Sequence, residues 1–258
     1  KLRPQAKTRC LTALKAHSAT MNDHNVEEVI AVGTEALRRA SDGREFLQTI
    51  REETDIAFRI IDGKEEARLT FRATQEEFGY LRETLLMFDI GGGSTEIVAG
   101  DKKRVISLDT FPVGTVSLTE QFVHHDPVSA AEMRAAGHLI LRQLAAVSGE
   151  FREPAGIGVA GTITTLKAVS LQMESYDHSA IHKSTLTLTE VDDLVNLFAS
   201  MTSAERLALK GLPAMRADII PMGALMARTI MSVFGLSEIY VSDRGLRWGV
   251  LYDWLEKQ

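Results

Sequence analysis

The stretch LLMFDIGGGSTEIVA, residues 85–99, joins two apolar runs through three consecutive glycines. It predicts a strand, a tight turn and a second strand, because glycine adopts backbone conformations closed to other residues and lets a ligand approach the main chain. Successive backbone N–H groups in such a turn form a concavity that suits phosphate oxygens. We therefore expect Gly91, Gly92, Gly93 and Ser94 to bind phosphate. The alternative is a glycine-rich β-hairpin with acidic flanks and no ligand.

Two acidic residues flank this turn. Asp89 stands at its entrance and Glu96 just beyond it. Carboxylate oxygens at these positions can hold a divalent cation against bound phosphates. The sequence thus predicts Asp89 and Glu96 as metal ligands.

Two further loops lie where a predicted strand meets a helix. In the first, Gly161 and Thr162 begin a helix whose unpaired N–H groups can bind an anion, although ordinary capping by threonine explains the pattern equally well. In the second, residues 241–247 read VSDRGLR, and Asp243 is expected to cap a helix. Arg244 beside it is a candidate ligand for a terminal phosphate.

A pair of carboxylates, Glu65 and Glu66, begins the helix predicted from Lys64 to about Glu77. Glutamate is favoured at a helix start by the helix dipole, so the pair has a purely structural explanation. Hydrolysis of a phosphoanhydride also needs a group that orients and deprotonates water, and a carboxylate can act in this way. Adjacent helical residues point about 100° apart, so we expect only one of the two to face a cleft, and composition does not say which.

Composition excludes several classes of protein. The 258 residues are 45% hydrophobic and 25% charged, as in soluble globular proteins, and no apolar stretch is long enough to span a membrane. A net charge of −6 argues against broad attraction to nucleic acid. The only cysteine, Cys10, excludes an internal disulfide and fits a reducing compartment, so we expect a cytoplasmic protein.

Apolar periodicity alternates repeatedly between two and 3.6 residues, which indicates an α/β protein. Strands are predicted around residues 29–32, 57–61, 105–108, 157–160 and 238–242. Long helices are predicted around 129–147, 190–201, 216–234 and 245–256.

Six segments together resemble the exopolyphosphatase/guanosine pentaphosphate phosphohydrolase family, a branch of the actin–hexokinase–Hsp70 superfamily. In chain order they are VGTEALR (32–38), GKEEARL (63–69), DIGGGSTE (89–96), AGTITTL (160–166), RADII (216–220) and VSDRGLR (241–247). The resemblance implies an α/β protein with a two-lobed, actin-like (ribonuclease H-like) fold, the first lobe at 1–84 and the second at 85–258. The family opens with a loop of the type DxGSNS, which this sequence lacks, so we expect the first lobe to miss its N-terminal strands.

The resemblance also implies an activity. The sequence is similar to those of enzymes that remove the terminal phosphate of polyphosphate or guanosine pentaphosphate. These enzymes use attack by water and Mg²⁺ or another divalent cation. By position in the motif, Glu66 corresponds to the catalytic glutamate. Family members often form homodimers, which makes a homodimer the implied assembly. A kinase of the same superfamily and a non-catalytic sensor of polyphosphate or guanosine pentaphosphate are the alternatives.

Overall fold

A computed structural model describes residues 1–147, 151 and 153–258 of the chain. Its internal contacts form two compact units, Lys1–Glu66 and Ala67–Gln258. The lobe boundary expected at residues 84/85 stays a prediction. No helix formed by the described residues is both long and apolar enough to cross a membrane.

The first unit pairs helices with a two-stranded parallel sheet. Its elements are α1 (Pro4–Asp23), β1 (Ala31–Gly33), α2 (Glu35–Arg39), α3 (Gly43–Thr54), β2 (Phe58–Ile60) and the first turn of α4 (Gly63–Phe78). Phe46 and Ile50 of α3 are buried, as is Ile61 just after β2, so the amphipathic helix α3 supplies much of the core of this unit. Helix α1 packs against α3.

The second unit is built on a six-stranded mixed sheet. Its strands are β3 (Leu85–Ile90), β4 (Thr95–Gly100), β5 (Val105–Phe111), β6 (Ala155–Val159), β7 (Thr185–Thr187) and β8 (Glu238–Ser242). Its helices after α4 are α5 (Thr115–Phe122), α6 (Ala130–Leu144), α7 (Ala160–Ser170), α8 (His178–Ile181), α9 (Leu188–Ser200), α10 (Ser203–Arg206), α11 (Ile220–Val233) and α12 (Leu246–Leu255), with a short 3-10 helix at Ala214–Arg216.

The sheet has the order β5-β4-β3-β6-β8-β7. Strands β3, β4 and β5 form an antiparallel meander, whereas β3, β6 and β8 run parallel to one another. The carboxyl ends of parallel strands meet at one edge of a sheet, which is where α/β proteins usually bind ligands. This edge therefore collects three loops, those that follow β3, β6 and β8.

Both faces of the sheet are covered. Leu86, Phe88 and Ile90 belong to the larger apolar core, together with residues of α6, α7, α9 and α11. Leu85 and Met87 point to the opposite face and pack on α4. Side chains alternate along a strand, so Asp89 continues the row of Leu85 and Met87 at the end of β3.

Helix α12 lies closely against α4. A Cβ atom on Gly249 would lie 1.8 Å from the carbonyl oxygen of Leu69, so only glycine permits this approach. Because α12 begins directly after the β8 loop, this contact fixes where that loop ends.

The strand–turn–strand prediction for residues 85–99 is confirmed, and the strand predicted at 238–242 coincides with β8. The helix predicted from Lys64 to about Glu77 corresponds to α4. The short elements α5, α8, α10 and β7 were not predicted, because each has too few residues to show a hydrophobic period.

Candidate active site

The turn between β3 and β4 is held from both sides. The N–H group of Gly91 donates to the carbonyl oxygen of Ser94 at 2.9 Å and closes the turn. The start of α5 packs against it, since Thr115 N–H donates to Gly91 O at 2.9 Å and Val116 N–H to Gly92 O at 2.8 Å. The approach is tight, because a Cβ on Gly114 would lie 2.5 Å from the backbone of Gly92.

These contacts orient the peptide groups of the turn. In a trans peptide the C=O and the following N–H point in opposite directions. The carbonyl groups of Gly91 and Gly92 point to α5, so the N–H groups of Gly92 and Gly93 point away from it. Within the described part of the chain, neither N–H donates a hydrogen bond. They are two adjacent donors suited to an anion.

The loop after β6 is fixed by a strained corner. Ala160, the first residue of α7, has a φ of +63°, a left-handed conformation that is uncommon for alanine. Thr162 donates its hydroxyl proton to the carbonyl oxygen of Ile90 at 2.7 Å and ties the start of α7 to the end of β3. Its hydroxyl therefore has no second proton to donate, and its backbone N–H is the group that can meet a phosphate.

A cavity of about 270 Å³ joins the two loops. Its lining includes Asp89, Gly91, Gly92, Gly161 and Thr162, five of the residues expected from the sequence. Gly93, Ser94 and Glu96 belong to the same hairpin but do not line this cavity.

Arg216, at the end of the 3-10 helix, also lines this cavity, and we had not predicted it as a site residue. A Cβ on Gly161 would lie 2.0 Å from its Nη2 atom, so the guanidinium occupies the space that the glycine leaves. Burial lowers the pKa of the Arg216 guanidinium below its usual range. Among the residues that the structure describes, it forms no ion pair and no hydrogen bond. The only sequence feature that points to Arg216 is the RADII segment (216–220), which is one of the six segments that resemble the family.

The two acidic residues of the hairpin lie side by side. Asp89 and Glu96 are directly paired across β3 and β4, so their side chains project from the same face, with Cβ atoms about 5 Å apart. Ser94 donates its hydroxyl proton to Oε1 of Glu96 at 2.7 Å. Mg²⁺ is commonly bound by one or two carboxylates plus phosphates of the substrate, so this donor set fits it. Within the described ranges, no group of three or more His, Cys, Asp and Glu residues is arranged to hold a metal ion.

Glu65 and Glu66, at the end of the first unit, have different surroundings. Glu65 forms an exposed ion pair with Arg59 at 2.6 Å. Glu66 is only 20% exposed, and its Oε2 lies 3.8 Å from Nη1 of Arg38. Burial raises the pKa of the Glu66 carboxyl, an effect that Arg38 opposes and Glu35 reinforces.

Arg244 lies in another cavity of the second unit, beyond the end of β8. Its guanidinium pairs with Glu77 of α4, donates to the hydroxyl of Tyr252 at 3.0 Å and lies 4.2 Å from the centre of the Trp248 ring. It does not line the cavity of the glycine loops. Its assignment as a phosphate ligand stays a prediction.

Comparison with known proteins identifies the family. The whole chain, residues 1–258, matches the Ppx/GppA phosphatase family. Exopolyphosphatase 2 of Mycobacterium tuberculosis is 32% identical over 267 residues, which cover 96% of this chain and 81% of the relative. A bifunctional 3-dehydroquinate synthase/phosphatase of Fusobacterium nucleatum is 30% identical and covers the whole chain, which spans 40% of that larger protein.

Solved structures of proteins from the same family resemble this one. The Aquifex aeolicus member of the Ppx/GppA family superposes with a TM-score of 0.87 at 29% identity, over 100% of this chain and 83% of its own. An exopolyphosphatase from Cytophaga hutchinsonii superposes with a TM-score of 0.91 at 29% identity, over 99% and 84%. The resemblance read from the sequence is thereby confirmed: the chain belongs to the Ppx/GppA phosphatase family and has its actin-like α/β fold.

Proposed function

We propose that this protein is a phosphoanhydride hydrolase that releases the terminal phosphate of polyphosphate, of guanosine pentaphosphate, or of both. The observation that carries the proposal is the cavity of the glycine loops. Backbone N–H groups and the guanidinium of Arg216, none of which has a partner among the described residues, converge there beside two carboxylates. Relatives named exopolyphosphatase support polyphosphate as a substrate.

The glycine loops bind the terminal phosphate, the group that is transferred to water. The turn at residues 91–94, of which Gly91 and Gly92 line the cavity, binds its oxygens on one side, and Gly161 with Thr162 binds them on the other. Arg216 supplies a positive charge where the terminal phosphoryl group gathers negative charge during transfer. Preoriented donors of this kind provide most of the stabilisation in phosphoryl transfer.

Glu66 acts as the general base. It removes a proton from the attacking water while the water oxygen forms a bond to the terminal phosphorus. The bridging P–O bond breaks, and the remaining chain or nucleotide leaves with the bridging oxygen. The pKa of Glu66, raised by burial, makes it a stronger base than an exposed glutamate and so favours this role over that of Glu65.

Asp89 and Glu96 are the residues that would hold a divalent cation. Such a cation, when bound, neutralises charge on the phosphate oxygens. The two carboxylates also repel each other across the strands, which gives the cation a stabilising effect on the hairpin.

The direct test replaces Glu66 with glutamine. Glu66→Gln should lower the rate of phosphate release from tripolyphosphate by about 10²–10⁴, the range for loss of a general base, whereas Glu65→Gln should lower it little. In the parent enzyme the rate should fall as the pH drops through the raised pKa of Glu66, since a base must be deprotonated, and this acid limb should be missing from Glu66→Gln. Release by Glu66→Gln at the parental rate would remove this residue from the mechanism.

Guanosine pentaphosphate offered beside tripolyphosphate identifies the preferred substrate. Absence of release from either, in the presence of Mg²⁺, would overturn the proposed function.

A further inference from the structure

Helix α11 packs against α5 and α7, the two helices whose first residues hold the glycine loops. Gly223 lies near the start of α11 and is buried. A Cβ atom on Gly223 would lie 2.7 Å from Cγ2 of Thr162 and 3.2 Å from Cγ2 of Thr115. Carbon atoms in contact prefer a separation of about 3.5–4.0 Å. The missing side chain of Gly223 therefore lets α11 approach both threonines at once.

The two threonines are the residues that fix the two loops. Thr162 donates its hydroxyl proton to the carbonyl oxygen of Ile90 at 2.7 Å and holds the start of α7 against the end of β3. Thr115 donates its N–H to the carbonyl oxygen of Gly91 at 2.9 Å and holds the turn between β3 and β4. Both threonines are buried, so neither side chain has free space into which it can move. Gly223 thus contacts the anchor of each loop.

Backbone hydrogen bonds also connect Gly223 with Arg216. The N–H of Gly223 donates to the carbonyl oxygen of Ile219 at 3.2 Å, and the N–H of Ile219 donates to that of Arg216 at 3.1 Å. Ile219 and Arg216 both line the cavity of the glycine loops. The two loops and Arg216, which together supply the donors of the cavity, are therefore all connected to the start of α11.

The helix itself gives no reason for a glycine at this position. Glycine is the weakest helix former apart from proline, because it loses the most backbone freedom on folding. Gly137 of α6 provides a contrast, since a Cβ there would meet no atom of the described residues within 4 Å. The packing of Gly223 against two threonines explains why α11 contains a residue that weakens it.

We propose that Gly223 is a positioning residue, which sets the spacing of the two glycine loops without touching the substrate. Gly223→Ala would have to move Thr162 by nearly 1 Å, since a separation of 2.7 Å must increase to about 3.5 Å. Preoriented donors lose much of their effect when they are displaced by about 1 Å. The effect on rate rests on the proposed function, whereas the effect on the loops does not.

Amide NMR spectra of the isotopically labelled full chain test the positioning without any substrate. Gly223→Ala should shift the N–H resonances of Gly92 and Gly161, one in each loop. Thr162→Ser removes Cγ2 but keeps the hydroxyl that bonds to Ile90, so it makes room for the added methyl group. Adding Gly223→Ala to Thr162→Ser should therefore shift these resonances much less than adding it to the parent.

Kinetics with tripolyphosphate measure the consequence for activity. Gly223→Ala should lower kcat by about 10- to 100-fold. The change in KM should be smaller, because the displaced donors act mainly on charge that develops in the transition state. Gly223→Ala/Thr162→Ser should recover most of the lost rate. Thr115→Ser should recover less than Thr162→Ser, because the methyl group of Thr115 lies farther from the new Cβ.

Two other glycines provide matched controls. In Gly156→Ala the added Cβ would lie 2.8 Å from Leu236 and 2.9 Å from Ile239, near the start of β6 and away from the edge that carries the loops. Gly156→Ala should lower the Tm but leave kcat and the loop resonances unchanged. Gly137→Ala should change none of the three quantities. These controls separate positioning from a general loss of stability.

The outcomes that contradict the inference are distinct from those that contradict the proposed function. Parental loop resonances in Gly223→Ala, or shifts that Thr162→Ser does not reduce, would overturn the role of Gly223. If Gly223→Ala does not fold, folding of Gly223→Ala/Thr162→Ser supports the contact, and failure of both to fold refutes it. Loop shifts that Thr162→Ser reduces, in a parent that releases no phosphate, would support this role while refuting the proposed function.

Discussion

Arg216 and Arg244 line two cavities at the same edge of the second unit's sheet, but their guanidinium groups have opposite surroundings. Burial lowers the pKa of Arg216, and no described carboxylate compensates it. Burial would also lower the pKa of Arg244, but Tyr252 and the charge of Glu77 raise it above its usual range. A half-buried cation without a protein partner favours an anionic ligand, whereas one that the protein already pairs holds the structure together. We therefore expect Arg216 to bind an anionic ligand and Arg244 to stabilise the fold, and phosphate binding by Arg244 stays a prediction of its sequence motif.

Exchanging each arginine for methionine tests this assignment. Arg216→Met should lower kcat/KM for tripolyphosphate by about 10²–10³, the usual cost of removing one preoriented electrostatic donor. Its stability should change little, because Arg216 forms no ion pair with any residue that the structure describes. Arg244→Met should mainly lower the midpoint of urea unfolding, since Glu77 would keep a charge with one partner fewer. If Arg244→Met instead lost activity at unchanged stability, Arg244 would be the phosphate ligand, as its sequence motif predicts.

The next largest expected effect is the loss of stability caused by Glu77→Gln. The carboxylate of Glu77 is 9% exposed, and burial alone would raise its pKa. Hydrogen bonds from Tyr252, Lys183 and His182, with the charge of Arg244, lower the pKa to about 2 instead. Glu77→Gln should reduce the free energy of unfolding by about 2 kcal/mol, below the value for a fully buried pair because Arg244 is partly exposed.

The loss of unfolding free energy in Glu77→Gln should depend on pH. The folded pKa of Glu77 lies below its unperturbed value of 4.5, so the stabilisation is present above about pH 4.5 and disappears as the pH falls towards 2. The stability difference between the parent and Glu77→Gln, followed by urea unfolding, should shrink over the same range. The neighbouring pair of the exposed Glu76 with the partly buried Arg72 is the control. Glu76→Gln should cost about 0.5 kcal/mol or less at any pH, because Glu76 is solvated and Arg72 keeps Glu256 as a partner. Equal losses in the two variants would refute the role given to Glu77.

Gly161→Ala should have the smallest effect on activity, and it tests whether the position of the Arg216 side chain matters. The added methyl group would meet Nη2 of Arg216, the end of a flexible side chain, which moves rather than unfolding the loop. We expect about a tenfold lower kcat/KM with stability nearly unchanged, because a displacement near 1 Å is costly at a reacting centre. Gly137→Ala, where a Cβ meets no atom within 4 Å, is the control and should leave activity unchanged. In an Arg216→Met background, Gly161→Ala should cost nothing further.

The sequence was sufficient for the hairpin because its signal is local. Two apolar runs predict β3 and β4, and the glycines between them predict the turn. The whole pattern also identified the family, since six segments had to occur in order. The strand at 238–242 was equally clear, because three residues of high β-propensity, Ile239, Tyr240 and Val241, stand together between turn residues.

Arg216 and the network of Glu77 were not predicted because their surroundings arise only in the fold. Arg216 meets Gly161 across 55 residues of sequence, and Arg244 meets Glu77 across 167. No periodicity records such pairs, so an arginine that binds a ligand and one that supports the structure look alike in the sequence. The difference between Glu65 and Glu66 has the same origin, because burial of one carboxyl depends on Arg38 and the packing around it.

The pairing of Asp89 with Glu96 has a consequence for how the sequence can change during evolution. Side chains alternate between the two faces of a strand, so a slip of one residue in register turns every side chain of β4 over. Deleting one of the three glycines would move Glu96 from the side of Asp89 to the apolar side of Phe88 and Ile90. Substitutions in the turn can be compensated by neighbouring contacts, but a change in its length by one residue cannot. We therefore expect natural variants of this hairpin to differ in composition and to keep the number of residues between Asp89 and Glu96.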